Sequence, residues 1–288
     1  LLELSVKIML LELAVGDAYG AGFEYAPPSL VQAKNTLNGY VQHPRHRLRP
    51  GCYTDDTQMS LAIAELLVAQ EPFTPEAFAS RFVNTFKRDP REGYASRFYQ
   101  FLQKTQDGTK FLATIMSTSD ASGAAMRAAP LGVLSSIEQV MAVATIQAAV
   151  THNTPDGINA AQAAALMTHY FIYRLGVQQD LGKFLEQHVP GDWSQPWQGE
   201  VGSKGWMSVR AAITAVTRNY RLSDLLKDCI AFTGDVDTVA TIALAAAACS
   251  REITPDLPSE LIENLENGPY GRNYIMALDK QLMNLVSS

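Results

Sequence analysis

Four carboxylates in two short motifs are the part of this chain best suited to chemistry. Thr54-Asp55-Asp56-Thr57 and Asp235-Val236-Asp237-Thr238 lie most of the chain apart, and each opens an apolar helical run. Both offer only oxygen donors, two carboxylates and a threonine hydroxyl. If the two helix starts face each other, the carboxylates repel strongly unless cations sit among them. Hard divalent ions such as Mg²⁺ suit an all-oxygen site. The pattern therefore points to a two-metal site assembled from distant segments. Taken singly, each motif also reads as a helix start. Thr54 and Asp235 would be N-caps, with Asp55, Asp56 and Asp237 in first turns that complement the helix dipole. Two adjacent carboxylates exceed what capping requires, and the D-(x)-D-T pattern occurs twice.

Other segments carry chemistry only in company. Gly16 to Glu24 has three glycines within seven residues, which permit a tight path and close ligand approach, and Asp17 and Glu24 bracket it. Arg127 stands among small and apolar residues in Ser122 to Pro130, so it needs an anion or a carbonyl as partner. Thr151-His152-Asn153 precedes the helix start Thr154-Pro155-Asp156. His43, Arg45, His46, Arg47 and Arg49 form the only locally basic stretch, which reads as a solvated loop.

The elements that must position these residues are helices. Met59, Ile63, Leu66 and Leu67 fall at helical spacing after the first acidic motif. The alanine-rich runs Asn159 to Arg174 and Thr238 to Cys249 would pack closely against neighbours, and Leu1 to Val15 reads as an amphipathic helix. No period-2 alternation is bounded by turn residues, so strands are minor. Loops are expected at Gly16 to Pro28, Pro44 to Cys52, Ser117 to Gly123, Pro190 to Gly205 and Asn267 to Gly271. None is a clear linker, so one all-α domain over residues 1–288 is the simplest account.

Composition excludes several classes. At 288 residues the chain can bury a substantial core, and 47% hydrophobic with 18% charged residues is an ordinary globular balance. A net charge of −6 argues against a nucleic-acid partner, which needs a basic face. Cys52, Cys229 and Cys249 are widely spaced and suit a reducing compartment. No run approaches a membrane span, so the cytoplasm is the expected location, with no membrane partner.

The motifs together resemble those of the ADP-ribosylglycohydrolase family. G-D-x-x-G-x-x-x-E (Gly16 to Glu24), T-D-D-T-Q-M (Thr54 to Met59), G-Y (Gly93-Tyr94), G-A-A-M-R-x-x-P-x-G (Gly123 to Gly132), T-H (Thr151-His152) and G-D-x-D-T-x-A (Gly234 to Ala240) stand in the family's order. The resemblance spans nearly the whole chain, and T-D-D-T with a later D-x-D-T is its specific part. It implies a compact all-α orthogonal helical bundle with two Mg²⁺, or Mn²⁺, at the bottom of an ADP-ribose cleft. It assigns Thr54, Asp55 and Asp56 to one metal and Asp237 and Thr238 to the other, with Asp235 binding or bridging. Glu24 would act beside the metals, and Asp55, Asp56 or Glu24 would handle the proton. Gly123, Ala124, Met126, His152 and Tyr94 would line the substrate cleft. The implied reaction is hydrolysis of the glycosidic bond between ADP-ribose and a protein side chain, arginine first and serine as an alternative, by a monomer. An inactive ADP-ribose binder is the rival.

Three departures stand out. Thr233-Gly234 replaces the family's usual Gly-Gly, Leu244 to Cys249 is nearly all alanine where glycines are common, and Gly93-Tyr94-Ala95 replaces G-Y-G. They bear on packing and cleft shape more than on metal ligation.

Overall fold

Burial, rather than amphipathic patterning, organises the centre of this chain. The computed structural model describes residues 9–286. Along them run fifteen α-helices: α1 (Leu10–Ala21), α2 (Pro28–Lys34), α3 (Asp55–Val68), α4 (Pro75–Arg88), α5 (Ser96–Lys104), α6 (Gly108–Thr114), α7 (Gly123–Met126), α8 (Ile137–Ala149), α9 (Pro155–Tyr173), α10 (Leu181–His188), α11 (Gly205–Arg218), α12 (Leu222–Ala231), α13 (Val236–Ala248), α14 (Ser259–Asn264) and α15 (Arg272–Asn284). Only isolated bridges, such as Val201 with Gly234, have strand character among the described residues. The all-α expectation holds.

Every residue of α1 is buried, and so is every residue of α13 except its last, Ala248. A helix that is apolar all round belongs inside a protein, and α13 lies among α1, α9, α11 and α12. The amphipathic helix expected over Leu1 to Val15 is therefore corrected from Leu10 onward to a fully buried one. Residues 1–8 of that stretch lie outside the described residues.

The glycine-rich segment also differs from its expected form. Gly16 to Ala21 is not loop but the second half of α1. A Cβ on Gly16 would come 2.7 Å from the Ala240 carbonyl oxygen, and one on Gly20 would come 2.4 Å from Asp237 Cα. These glycines, one turn apart, bring two helix backbones into contact. Side chains at those positions would push α13 away, and the alanines of α13 complete the fit. The glycines thus serve helix–helix packing, and that packing sets Asp17 beside Asp237.

Two helix starts are capped from other helices. Asp279 of α15, fully buried, accepts the N–H groups of Met9, Leu10 and Leu11 at 2.8–3.2 Å. It thereby satisfies donors that the first turn of α1 leaves without partners. Asp17 does the same for α3, as described below. At α9 the expected local signal suffices: the Thr154 hydroxyl accepts from Gly157 N at 3.1 Å, with Pro155 at the first helical position.

Candidate active site

The two acidic motifs meet, because α3 and α13 both begin against α1. Asp17 Oδ2 accepts the N–H of Thr54 and of Thr57, each at 2.9 Å, and the Thr57 hydroxyl at 2.6 Å. Asp17 Oδ1 accepts the Thr54 hydroxyl at 2.7 Å. Thr54's own cap bond, to Asp56 N, is long at 3.4 Å. The start of α3 is thus held mainly by a carboxylate from α1, and Asp55 and Asp56 are freed from capping. At α13 the N-cap residue Asp235 makes no side-chain cap bond either. Across the gap, the Thr238 hydroxyl donates to Asp56 Oδ1 at 3.1 Å.

Ligand atoms of Asp17, Asp56 and Asp237 lie within 4.8 Å of one another, and so do those of Glu24, Asp235 and Asp237. Asp237 belongs to both groups, and its buried Oδ1 has no hydrogen-bond partner. A buried carboxylate oxygen left without a partner is costly. An orphaned oxygen in an all-oxygen donor set fits a hard cation.

Electrostatics point the same way. Burial, then the charge of Asp17, raises Asp55 well above the ordinary carboxylate range, and burial, Asp17 and Asp55 do the same to Asp56. Asp237 is raised by burial and then by Glu24, and Asp235 is pushed up to about 6 by the same two causes. Asp17 is raised by burial against its four hydrogen bonds. Without a positive charge among them, these groups favour the protonated form.

Glu24 behaves differently. Burial would raise it, but hydrogen bonds from His43 and Arg45 and the charge of Arg45 hold it below the usual range. His43 Nε2 lies 2.8 Å from Glu24 Oε2, while its Nδ1 accepts the N–H of Arg45 and of His46. Those two donors place the ring proton on Nε2, facing the carboxylate. His43 is buried, so the basic stretch is not simply a solvated loop. That expectation is corrected.

A second wall adjoins the carboxylates at Ser122, whose side chain acts to lower the Asp235 carboxyl against its burial. A Cβ on the next residue, Gly123, would lie 3.0 Å from His152 Cε1 and 3.2 Å from Nε2. Arg127 lies behind this wall, buried over the Phe82 ring at 4.3 Å. It bonds Gln147 Oε1 and carbonyl oxygen and the Thr151 hydroxyl. Its partners are thus carbonyl and hydroxyl oxygens rather than a carboxylate, and burial pulls its pKa down to about 9. The Thr151 oxygen accepts from Arg127 and lies 2.7 Å from His152 Nδ1. If this hydroxyl donates its own hydrogen to Nδ1, the neutral ring carries Nε2–H on the Gly123 side. Burial and the Arg127 charge lower His152 to about 3, so the ring is neutral.

Not every residue singled out by sequence faces this space. Tyr94 is 4% exposed, donates to Gln58 Oε1 at 2.7 Å and packs on Phe86 and Phe98. In the G-Y pair the glycine is the part in contact with the acidic centre. Gly93 has φ +116°, and a Cβ there would come 2.4 Å from Asp55 Oδ1. Ala124 and Met126 are buried, and the Ala124 carbonyl is spent on Gln147. Asp55 stands outside both carboxylate groups and is half-buried. Asp17, His43 and Tyr25 went unranked in the sequence. Asp17 carried a signal in its place between two glycines of one helical face, while His43 and Tyr25 carried none.

The family model for ADP-ribosylglycohydrolase matches residues 5–288. The chain belongs to the ADP-ribosylglycohydrolase family. It is 28% identical over 272 residues to the ADP-ribosyl-[dinitrogen reductase] glycohydrolase of Rhodospirillum rubrum, covering 89% of this chain and 88% of that protein. An ADP-ribosylarginine hydrolase of Pseudomonas putida (strain GB-1) is 24% identical over 278 residues, 90% of this chain and 73% of that protein. The human ADP-ribosylhydrolase ARH3 is 28% identical over 230 residues, 72% of this chain and 61% of that protein. A solved ADP-ribosylglycohydrolase-related protein complex aligns with TM-score 0.73 at 24% identity, covering 96% of each chain, and shows the fold. As an ADP-ribosylglycohydrolase, the chain is a hydrolase, and its buried acidic groups stand where the family's most specific motifs lie. No helix among the described residues is long and apolar enough to cross a membrane.

Proposed function

We propose that this ADP-ribosylglycohydrolase removes ADP-ribose from a modified protein side chain, arginine foremost, with two Mg²⁺ bound among its carboxylates. The observation that carries this reading is Asp237, shared by two carboxylate groups and left with an unpartnered oxygen. Asp17, Asp56, Asp235, Asp237 and Glu24 would hold the cations, with Thr54 and Thr238 lending oxygen lone pairs. Mn²⁺ has the same hard-donor preference and is the alternative ion. When bound, such cations orient sugar hydroxyls and lower the pKa of water.

The chain's own residues divide the remaining work. His152 Nε2–H donates to an oxygen of the ligand lying along Gly123, and Arg127 keeps that ring neutral and oriented through Thr151. Asp55 moves the proton at the reacting carbon. It is half-buried and unclaimed, whereas Asp56 is tied to Thr238 and Glu24 to the buried His43. Hydrolysis of an anomeric C–N or C–O bond passes through an oxocarbenium-like state that needs such a carboxylate. The two closely aligned bacterial relatives support the acceptor class, one named for ADP-ribosylarginine and one for dinitrogen reductase. The reading carries a cytoplasmic monomer.

Peptides ADP-ribosylated on arginine or on serine, incubated with and without Mg²⁺, test it. Release of ADP-ribose from the arginine peptide, abolished by chelation, is expected. Asp55→Asn should lower kcat by about 10²–10⁴ while leaving ADP-ribose binding intact. Turnover that survives chelation, or survives both Asp55→Asn and Asp237→Asn, refutes the reading.

A further inference from the structure

Beside the carboxylates, the chain holds one of its own guanidinium groups in a cradle. Arg45 Nη2 lies 2.6 Å from Glu24 Oε1, and its Cζ sits 4.9 Å from the centre of the Tyr25 ring. An in-plane carboxylate and an aromatic face are the two partners a planar guanidinium favours. Glu24 is in turn grouped with Asp235 and Asp237. The cradle therefore borders the place where a bond to an ADP-ribosyl group would be broken.

Tyr25 is fixed there at a conformational cost. Its φ is +49°, a region that bulky residues rarely adopt, and its N–H is bonded to the Gly234 carbonyl at 2.8 Å. Such strain persists where the surroundings impose it, and it is typical of functional positions. The ring is 38% exposed, so it is presented to solvent rather than buried for packing. Arg45 is the partner that can leave for water, since its side chain is 53% exposed while that of Glu24 is 15% exposed. Its backbone N–H stays anchored on His43 Nδ1 at 3.0 Å, so the side chain can leave without moving the loop.

We propose that Glu24 and Tyr25 form the acceptor subsite for a substrate guanidinium, and that Arg45 fills this subsite until substrate displaces it. The proposal rests on the arginine reading above and names the residues that would select it. An alkylammonium carries the same charge but lacks the planar group, and the cradle discriminates against it. Arg45 thereby acts as an internal competitor that weakens the binding of a free guanidinium ligand.

Ethylguanidinium is the probe, titrated by calorimetry into the full chain with Mg²⁺ present and again under chelation, with ethylammonium as control. An occupant present nine-tenths of the time weakens a ligand about tenfold, so Arg45→Ala should tighten ethylguanidinium by about that factor. Adding Tyr25→Leu to Arg45→Ala should weaken it by about threefold to thirtyfold, and Tyr25→Phe should not. In turnover of ADP-ribosylarginine peptide, Arg45→Ala should lower KM with little change in kcat. Unchanged ethylguanidinium affinity in Arg45→Ala, or an equal gain for ethylammonium, overturns the proposal. If Tyr25→Leu fails to fold, the comparison of Arg45→Ala with the ammonium control still decides. Tight guanidinium binding without hydrolysis of the arginine peptide would sink the functional reading and leave the subsite standing. Hydrolysis with an indifferent Arg45→Ala would do the reverse.

Discussion

Asp17 grips Thr54 twice, accepting its backbone N–H at 2.9 Å and its hydroxyl at 2.7 Å. One carboxylate on the central helix thereby fixes where the T-D-D-T motif begins, and through it where Asp56 stands relative to Asp237. Asp17→Asn retains the shape but has one accepting oxygen instead of two, and its amide N–H groups would oppose the Thr54 and Thr57 donors. Loss of about 1–3 kcal/mol is expected, read from the urea midpoint at constant slope. Stability equal to the parent chain would show that α3 caps itself.

The carboxylate centre makes stability depend on pH and on metal together. Asp235 is raised to about 6, and Asp55, Asp56 and Asp237 are raised well above the ordinary carboxylate range. A carboxyl raised in the folded state keeps its proton while the unfolded chain releases its own. The contribution is full below the ordinary carboxylate range and is lost as pH rises through the folded value. Under chelation, Tm should therefore fall as pH rises through about 6 and beyond. Mg²⁺ should raise Tm most at the alkaline end, where the ligands are ionised. Asp237→Asn should stabilise the chelated protein and abolish the Mg²⁺ shift. A Tm indifferent to Mg²⁺ at pH 8 would remove the metal site.

Thr233 occupies a position meant for glycine. It precedes Gly234 with φ +63°, where a β-branched side chain is strained, and Gly234 itself has φ +89° with no room for a Cβ beside Val201. This turn aims Asp235 and delivers the Val201 and Tyr25 backbone bonds. Thr233→Gly should raise stability by about 1 kcal/mol, measured by denaturant titration, with catalysis little changed. A loss of stability would mean that the threonine side chain contributes more than its backbone costs.

Glu12 and Asp279 form a separate buried acidic pair at the start of α1. Burial, then the Asp279 charge, raises Glu12 to about 8, and its Oε2 has no partner among the described residues. The sign is again that of a raised carboxyl: stabilising at low pH, lost as pH climbs from the ordinary glutamate range through 8. The slope per proton is about 1.4 kcal/mol per pH unit. Glu12→Gln should match the parent chain near pH 4, below the ordinary glutamate range, and exceed it at pH 8.5. Parallel urea midpoints across that range would show that Glu12 is ionised in the folded state.

The local signals in the sequence reached far into this protein. Oxygen-only donors at two helix starts, alanine-rich helices and the Thr154-Pro155 start are short-range features, and helix periodicity exposes them directly. So the all-α class, the acidic motifs and the family were legible in the chain alone. What tertiary structure decided was how side chains are used once helices touch. Gly16 and Gly20 read as a tight loop for close ligand approach because a glycine's freedom and a glycine's smallness leave the same letter in a sequence. Only the contact with Ala240 and Asp237 shows that smallness is what matters. Tyr94 and Gly93 exchanged importance for the same reason, since a backbone approach to Asp55 has no composition signal. Asp17, His43, Arg45 and Tyr25 join the site across long sequence separations. Carboxylate pairing and burial are properties of assembled surfaces, and no spacing rule along one chain encodes them.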